Sequence, residues 1–141
     1  MGDLPGGLIN HILQERWEII DKYTPMAYNK FVNILIEFSE TPIFTSQITE
    51  AISDDDYRIL QGELIKNPGF GKKIPRSGGL RKLRWGIEGR GKSGGLRIIY
   101  FWKESKQTIL MLFVYPKNVQ SDLTHDQVIR LYKIVEATYG R

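Results

Sequence analysis

From residue 80 onward the chain alternates between apolar and polar positions. In "LRKLRWGI" (80–87), Leu83, Trp85 and Ile87 fall on one side of an extended backbone and Lys82 and Arg84 on the other, the period of two that marks a half-buried strand. "LRIIYFW" (96–102) and "TILMLFVY" (108–115) follow as strands rich in β-branched and aromatic residues, and "FVNILIEF" (31–38) reads as an earlier one. Elsewhere the spacing is helical. Leu8, Ile9, Ile12, Leu13, Trp17, Ile19 and Ile20 recur at helical intervals until Thr24 and Pro25 stop them. Thr41-Pro42 gives an N-cap and first-turn pair for a short helix, and Ser53 with Asp56 opens "SDDDYRILQGELIKNP", which ends at the "NPGFG" turn. Thr124 and Gln127 form a capping box for a last helix whose buried stripe is Val128, Leu131, Tyr132 and Val135. The order predicts an α+β domain: N-terminal helices, an antiparallel sheet of about four strands, and a C-terminal helix.

Residues 86–95, "GIEGRGKSGG", match the expression for a Walker A loop through Gly86, Gly91, Lys92 and Ser93, and G-x-G-x-x-G through Gly89, Gly91 and Gly94. Both motifs hold phosphates at the N-terminus of a following helix. Here "GGLRIIYFW" follows Ser93, so a strand is expected instead, and the stretch reads as a flexible, basic hairpin loop between two strands. Asp54, Asp55 and Asp56 suit the positive end of a helix and need no metal.

Charge sharpens the picture. Lys72, Lys73, Arg76, Arg81, Lys82, Arg84, Arg90, Lys92 and Arg97 stand against the single acid Glu88, a net +8 over residues 72–97 in a chain of net +4. The remainder is acidic. Such a local concentration is the electrostatic pattern of a polyanionic partner, nucleic acid foremost. The chain has no cysteine, so disulfides and thiolate metal sites are excluded, and no apolar run approaches the ~18–20 residues of a membrane span. "MGDLPGGLINHIL" lacks the pattern of a secretory leader, and a cytoplasmic protein is expected.

The run "NPGFGKKIPRSGGLRKLRWGIEGRGKSGGLRIIYFW", followed by "VYPKNVQSDLT", resembles the RelE/HigB-type toxins of bacterial toxin–antitoxin systems, in the branch with a G-G-x-R-K-x-R strand, a G-K-x-G-G-x-R hairpin and a Y-x-K-N ending. The similarity runs from about residue 31 to 135. It implies a RelE-like fold over 31–141 and leaves residues 1–30 outside the family domain, either an N-terminal helical extension or sequence from an upstream start. It also implies a ribosome-dependent endoribonuclease that cuts mRNA and is neutralised by a cognate antitoxin. The alternative is a catalytically inactive module of the same fold that binds nucleic acid or an antitoxin.

Metal-free RNA cleavage needs an activated 2′-hydroxyl, a stabilised phosphate and a protonated leaving group. The two histidines, His11 and His125, lie in helical segments and read as structural or exposed. The resemblance instead assigns Arg97 and Arg84 to the phosphate, and Lys82 and Lys117 to proton transfer or charge stabilisation. Tyr115 is open between a base-stacking or proton-transfer role and a plain aromatic at a sheet edge. Arg81, Arg90, Lys92, Lys73 and Arg76 are expected to attract RNA or the ribosome. Trp85 and Trp102 read as core. No metal or cofactor is expected. The chain departs from the family pattern at Ser93, where relatives often carry a basic residue, and at Pro116, which fixes the backbone before Lys117.

Overall fold

The structure, a computed structural model, describes residues 35–87 and 91–140, the side chains of residues 87 and 91–94 excepted. The helix expected between Leu8 and Ile20, His11 and Arg90 lie outside the described residues. Strand β1 (Glu37–Glu40) leads into helices α1 (Pro42–Ala51) and α2 (Asp54–Lys66). Then come β2 (Lys72–Lys73), β3 (Arg81–Ile87), β4 (Gly91–Lys103), a 3₁₀ turn (Glu104–Lys106), β5 (Thr108–Pro116) and α3 (His125–Tyr139).

The helix starts follow their caps. Thr41 accepts from the Phe44 amide, Ser53 from the Asp56 amide, and Thr124 and Gln127 complete a reciprocal box. Asp54, Asp55 and Asp56 occupy the first turn of α2, where the helix dipole favours negative charge.

The sheet differs from the expected four antiparallel strands. It has five, in the order β1-β5-β4-β3-β2, and β1 runs parallel to β5. Two features hid this. β2 is two lysines long and shows no alternation, and the direction of β1 is set by a crossover through the whole domain, which local pattern does not encode. Within the described residues β1 also starts later than expected, at Glu37, and runs to Glu40.

The sheet is covered on both faces. Phe44 and Ile48 of α1 and Tyr57, Leu60 and Leu64 of α2 pack on Phe38, Leu83, Leu96, Ile98, Tyr100 and Met111, with Trp85 and Trp102 against the same cluster as expected. On the other face Leu131 and Val135 of α3 meet Leu80, Ile99, Leu110 and Leu112, with Val128 and Tyr132 alongside. The β4–β5 register shifts between Ile99 and Tyr100, so Leu112 is the extra residue of a bulge. Its carbonyl accepts from the Thr41 hydroxyl at 2.8 Å, and the Val114 amide donates to Gln47 of α1 at 2.8 Å. One buried polar group sits in the first layer. The Glu40 carboxylate, 5% exposed, accepts from the Tyr57 hydroxyl and from Thr45 at 2.6 Å.

The glycine-rich stretch is strand for most of its length. β4 begins at Gly91, Ile87 pairs with Gly91, and the strand continues to Lys103 with no helix after Ser93. A phosphate loop has no place there. The long flexible loop expected over 86–95 is therefore overturned: only residues 88–90 separate the two strands. Gly95 explains part of the glycine pattern, because a Cβ there would stand 2.3 Å from the Trp85 carbonyl oxygen. That oxygen belongs to the backbone of the neighbouring strand and has no room to yield. Gly95→Ala is expected to destabilise the protein by roughly 1–3 kcal/mol through forced separation of β3 and β4, read as a lower denaturant midpoint. An unchanged midpoint would contradict the close approach.

Burial raises four tyrosines above the ordinary phenol range, Tyr57 most strongly, where the Glu40 carboxylate adds to the effect, and Tyr100, Tyr115 and Tyr139 with it. An unfolded chain releases these protons near pH 10, whereas the folded chain holds them to higher pH. The unfolded state thus binds fewer protons in that window, and stability falls as pH rises through it. The denaturant midpoint is expected to stay level from pH 8 to 9 and to drop beyond about 10, with a shallower drop in Tyr57→Phe. Equal slopes for the two proteins would remove Tyr57 as a source.

Candidate functional site

Register brings the chemistry together. Arg84 on β3 pairs with Arg97 on β4, which pairs with Tyr115 on β5; one step along, Lys82 pairs with Ile99 and Ile99 with Phe113. Paired residues share a face and so do residues two apart on a strand. Lys82, Arg84, Arg97 and Tyr115 therefore lie on the α3 face, in two adjacent rows.

Arg97 is 3% exposed. Its position in β4, between β3 and β5, encloses it. Among the described residues the guanidinium makes one hydrogen bond, from Nη1 to the Leu96 carbonyl at 3.3 Å, and no carboxylate is in salt-bridge contact with it. A buried cation without a counter-charge is unfavourable unless something else compensates it. The carboxylate whose charge reaches it is Asp122, which Arg97 helps to hold below its ordinary range.

Tyr115 lies beside Arg97 and is 2% exposed. β5 is an interior strand, so the sheet-edge reading of this aromatic does not hold. Its hydroxyl is buried with no hydrogen-bond partner among the described residues. Burial pushes its ionisation up, the negative charge of Asp122 adds to that, and Arg97 opposes it. The phenol is protonated at neutral pH and is available as a donor.

Lys82 donates to Asp122 Oδ1 at 2.7 Å. That hydrogen bond and the ammonium charge hold the Asp122 carboxyl below its ordinary range, with Arg84 and Arg97 contributing. Asp122 is 72% exposed, so the pair is solvent-screened and adds little to stability. The turn that carries Asp122 is fixed to α3, since Gln120 Nε2 donates to the Asp122 carbonyl at 2.8 Å and to Gln127 Oε1 at 2.9 Å.

Beside these rows opens a cleft of about 630 Å³, lined by Lys72, Lys73, Lys82, Arg84, Asp122 and Phe70, with Ile74, Pro75 and Leu83. Lys72, Lys73 and Arg84 are exposed and have no acidic partner among the described residues. The cleft is thus a basic surface with one acid in it.

The remaining candidates are dispersed. Lys117 is exposed and outside the cleft lining, yet its backbone is pinned: Pro116 pairs with Leu96, and the Lys117 amide donates to Gly95 at 3.1 Å, one rung beyond the proline. The proline leaves the ladder intact there. Arg81 is committed to backbone, donating from Nη1 to the Gly69 and Gly71 carbonyls at 3.2 and 2.7 Å. Lys73 lines the cleft, and Arg76 is exposed on a turn with a positive φ of 55°. Arg90 and the Lys92 side chain lie outside the described residues. His125 is exposed in the first turn of α3.

Sequence reasoning did not single out Asp122, Lys72 or Phe70. Asp122 meets Lys82 across 40 positions and gives no local signal. Phe70 did offer one: a large apolar residue inside a turn of Asn, Pro and Gly is out of place unless it faces something. The sequence matches no known family model. Among the described residues no helix is long and apolar enough to cross a membrane.

Proposed function

We propose that the chain is a RelE/HigB-type toxin, an endoribonuclease that cuts mRNA on the ribosome and is held in check in the cytoplasm by a cognate antitoxin. The observation that carries this reading is the buried Arg97, in salt-bridge contact with no carboxylate among the described residues, beside a Tyr115 hydroxyl without a hydrogen-bond partner among them, in one row with Arg84 at the side of a basic cleft. A RelE-like fold belongs to the same proposal; the α+β arrangement with a C-terminal helix is compatible with it.

In the proposed reaction Lys117 or a solvent water takes the proton of the ribose 2′-hydroxyl, the 2′-oxygen bonds to the adjacent phosphorus as the bond to the 5′-oxygen breaks, a cyclic phosphate forms, and the 5′-oxygen leaves with a proton. Arg97 and Arg84 hold the non-bridging oxygens, whose charge grows in the transition state, and a guanidinium fork suits two of them at once. Tyr115, protonated, donates to the phosphate or the leaving oxygen. Lys82 adds charge once phosphate competes with Asp122 for it, and Lys117 stands at the end of the same sheet.

Regulated expression with and without the neighbouring antitoxin gene, followed by mapping of mRNA 5′ ends, tests the proposal. Growth arrest with cuts inside translated messages is the expected result. Well-folded protein that produces neither sinks it and leaves the inactive binding module.

A further inference from the structure

Phe70 is 45% exposed at the lip of the cleft, among Lys72, Lys73, Lys82 and Arg84. An exposed phenylalanine on a loose turn would be unremarkable. This turn is held from several sides. Arg81 Nη1 donates to the carbonyls of Gly69 and Gly71, the residues flanking Phe70, and the Tyr100 hydroxyl accepts from the Gly71 amide at 2.7 Å and donates to Pro68 at 2.8 Å. The Phe70 amide itself donates to Asn67 at 2.9 Å, and the Gly69 amide to Asn67 Oδ1 at 3.1 Å. Gly71 is packed so closely that a Cβ there would stand 2.8 Å from the Tyr100 ring. The fold therefore fixes the backbone of a residue whose ring it leaves in water.

Resting on the RNA-cleaving reading of the cleft, we infer that Phe70 is a stacking platform for an unpaired nucleobase, with Lys72 and Lys73 on the phosphates that flank it. A π-face stacks on any base without reading its edge, and cations on either side follow the strand. The charge of the cleft favours this occupant over a protein segment, because an apolar peptide gains nothing from unpaired ammonium groups around its docking ring. The strand has to be single, since a paired base offers no free face to the ring.

The test uses the full chain and two fluorescently labelled single-stranded hexaribonucleotides, one with bases and one abasic throughout, with affinity read by anisotropy. The wild type is expected to bind the base-bearing oligomer more tightly. Phe70→Ala should weaken that oligomer roughly tenfold or more and leave the abasic one unchanged, whereas Phe70→Tyr, which keeps the ring, should restore the difference. Loss of salt-sensitive binding to both oligomers in the wild type overturns the RNA reading of the cleft itself. Binding that survives with Phe70→Ala equal to wild type overturns only the platform and returns the exposed ring to a protein contact. Equal weakening of both oligomers overturns it too, since the loss would then not depend on the base.

Discussion

Replacement of Arg97 by methionine is expected to raise the melting temperature while abolishing mRNA cleavage. Methionine fills much of the volume of the arginine stem in a position that is 3% exposed, flanked by β3 and β5, and it removes a charge that has no carboxylate partner among the described residues. Exchanging buried ionic groups for well-packed apolar ones is neutral or stabilising by about 1–4 kcal/mol, which amounts to several degrees in a domain of this size. Alanine separates the terms less well, because the cavity it leaves offsets the relief of desolvation. Arg97→Lys should recover part of the activity, since the charge returns without the planar fork. On the proposed reading, the gain in stability and the loss of cleavage are two faces of one arrangement, a buried charge held for a phosphate rather than for a carboxylate. Thermal melts and in-translation cleavage assays on the same preparations check it. A methionine variant that cuts mRNA at the wild-type rate would remove Arg97 from the site, and one that melts well below wild type would show that the guanidinium is structural.

Much of the fold could be read locally, because its signals are local. Thr41, Ser53 and Thr124 cap helices within four residues of themselves, and the alternation of Leu83 and Trp85 with Lys82 and Arg84 fixes which face of β3 meets α1 and α2. What could not be read depends on distant pairing. The parallel β1–β5 contact and the Lys82–Asp122 ion pair each join segments 40 or more residues apart. The site divides the same way. Its residue types stood in the basic run, but the depth of Arg97 and Tyr115 follows from which strands flank β4 and β5, and strand order is absent from any short window. Arg81 carries the same charge as its neighbour Lys82, and only tertiary structure shows that it is spent on the Gly69–Gly71 turn.

Tyr115→Phe is expected to lower the cleavage rate roughly a hundredfold with little change in RNA affinity and no loss of stability. The ring is retained, so the packing of Tyr115 with Phe113, at 6.1 Å between centroids, and with the α3 cluster persists. What disappears is a buried hydroxyl that has no partner among the described residues, and losing an unsatisfied polar group does not weaken a core. A purely structural tyrosine would therefore leave the rate untouched. The pH profile gives a second reading. Burial, with the charge of Asp122, raises the phenol above its ordinary range, so the donor stays protonated from neutral pH to at least about 10 and is lost only above that. A rate that falls through the neutral range must be assigned to another group. In Tyr115→Phe the residual activity should lack the steep alkaline loss expected of the wild type, measured at pH values where both proteins remain folded. Wild-type rates in the phenylalanine variant would exclude proton donation by Tyr115 and leave the phosphate to the arginines alone.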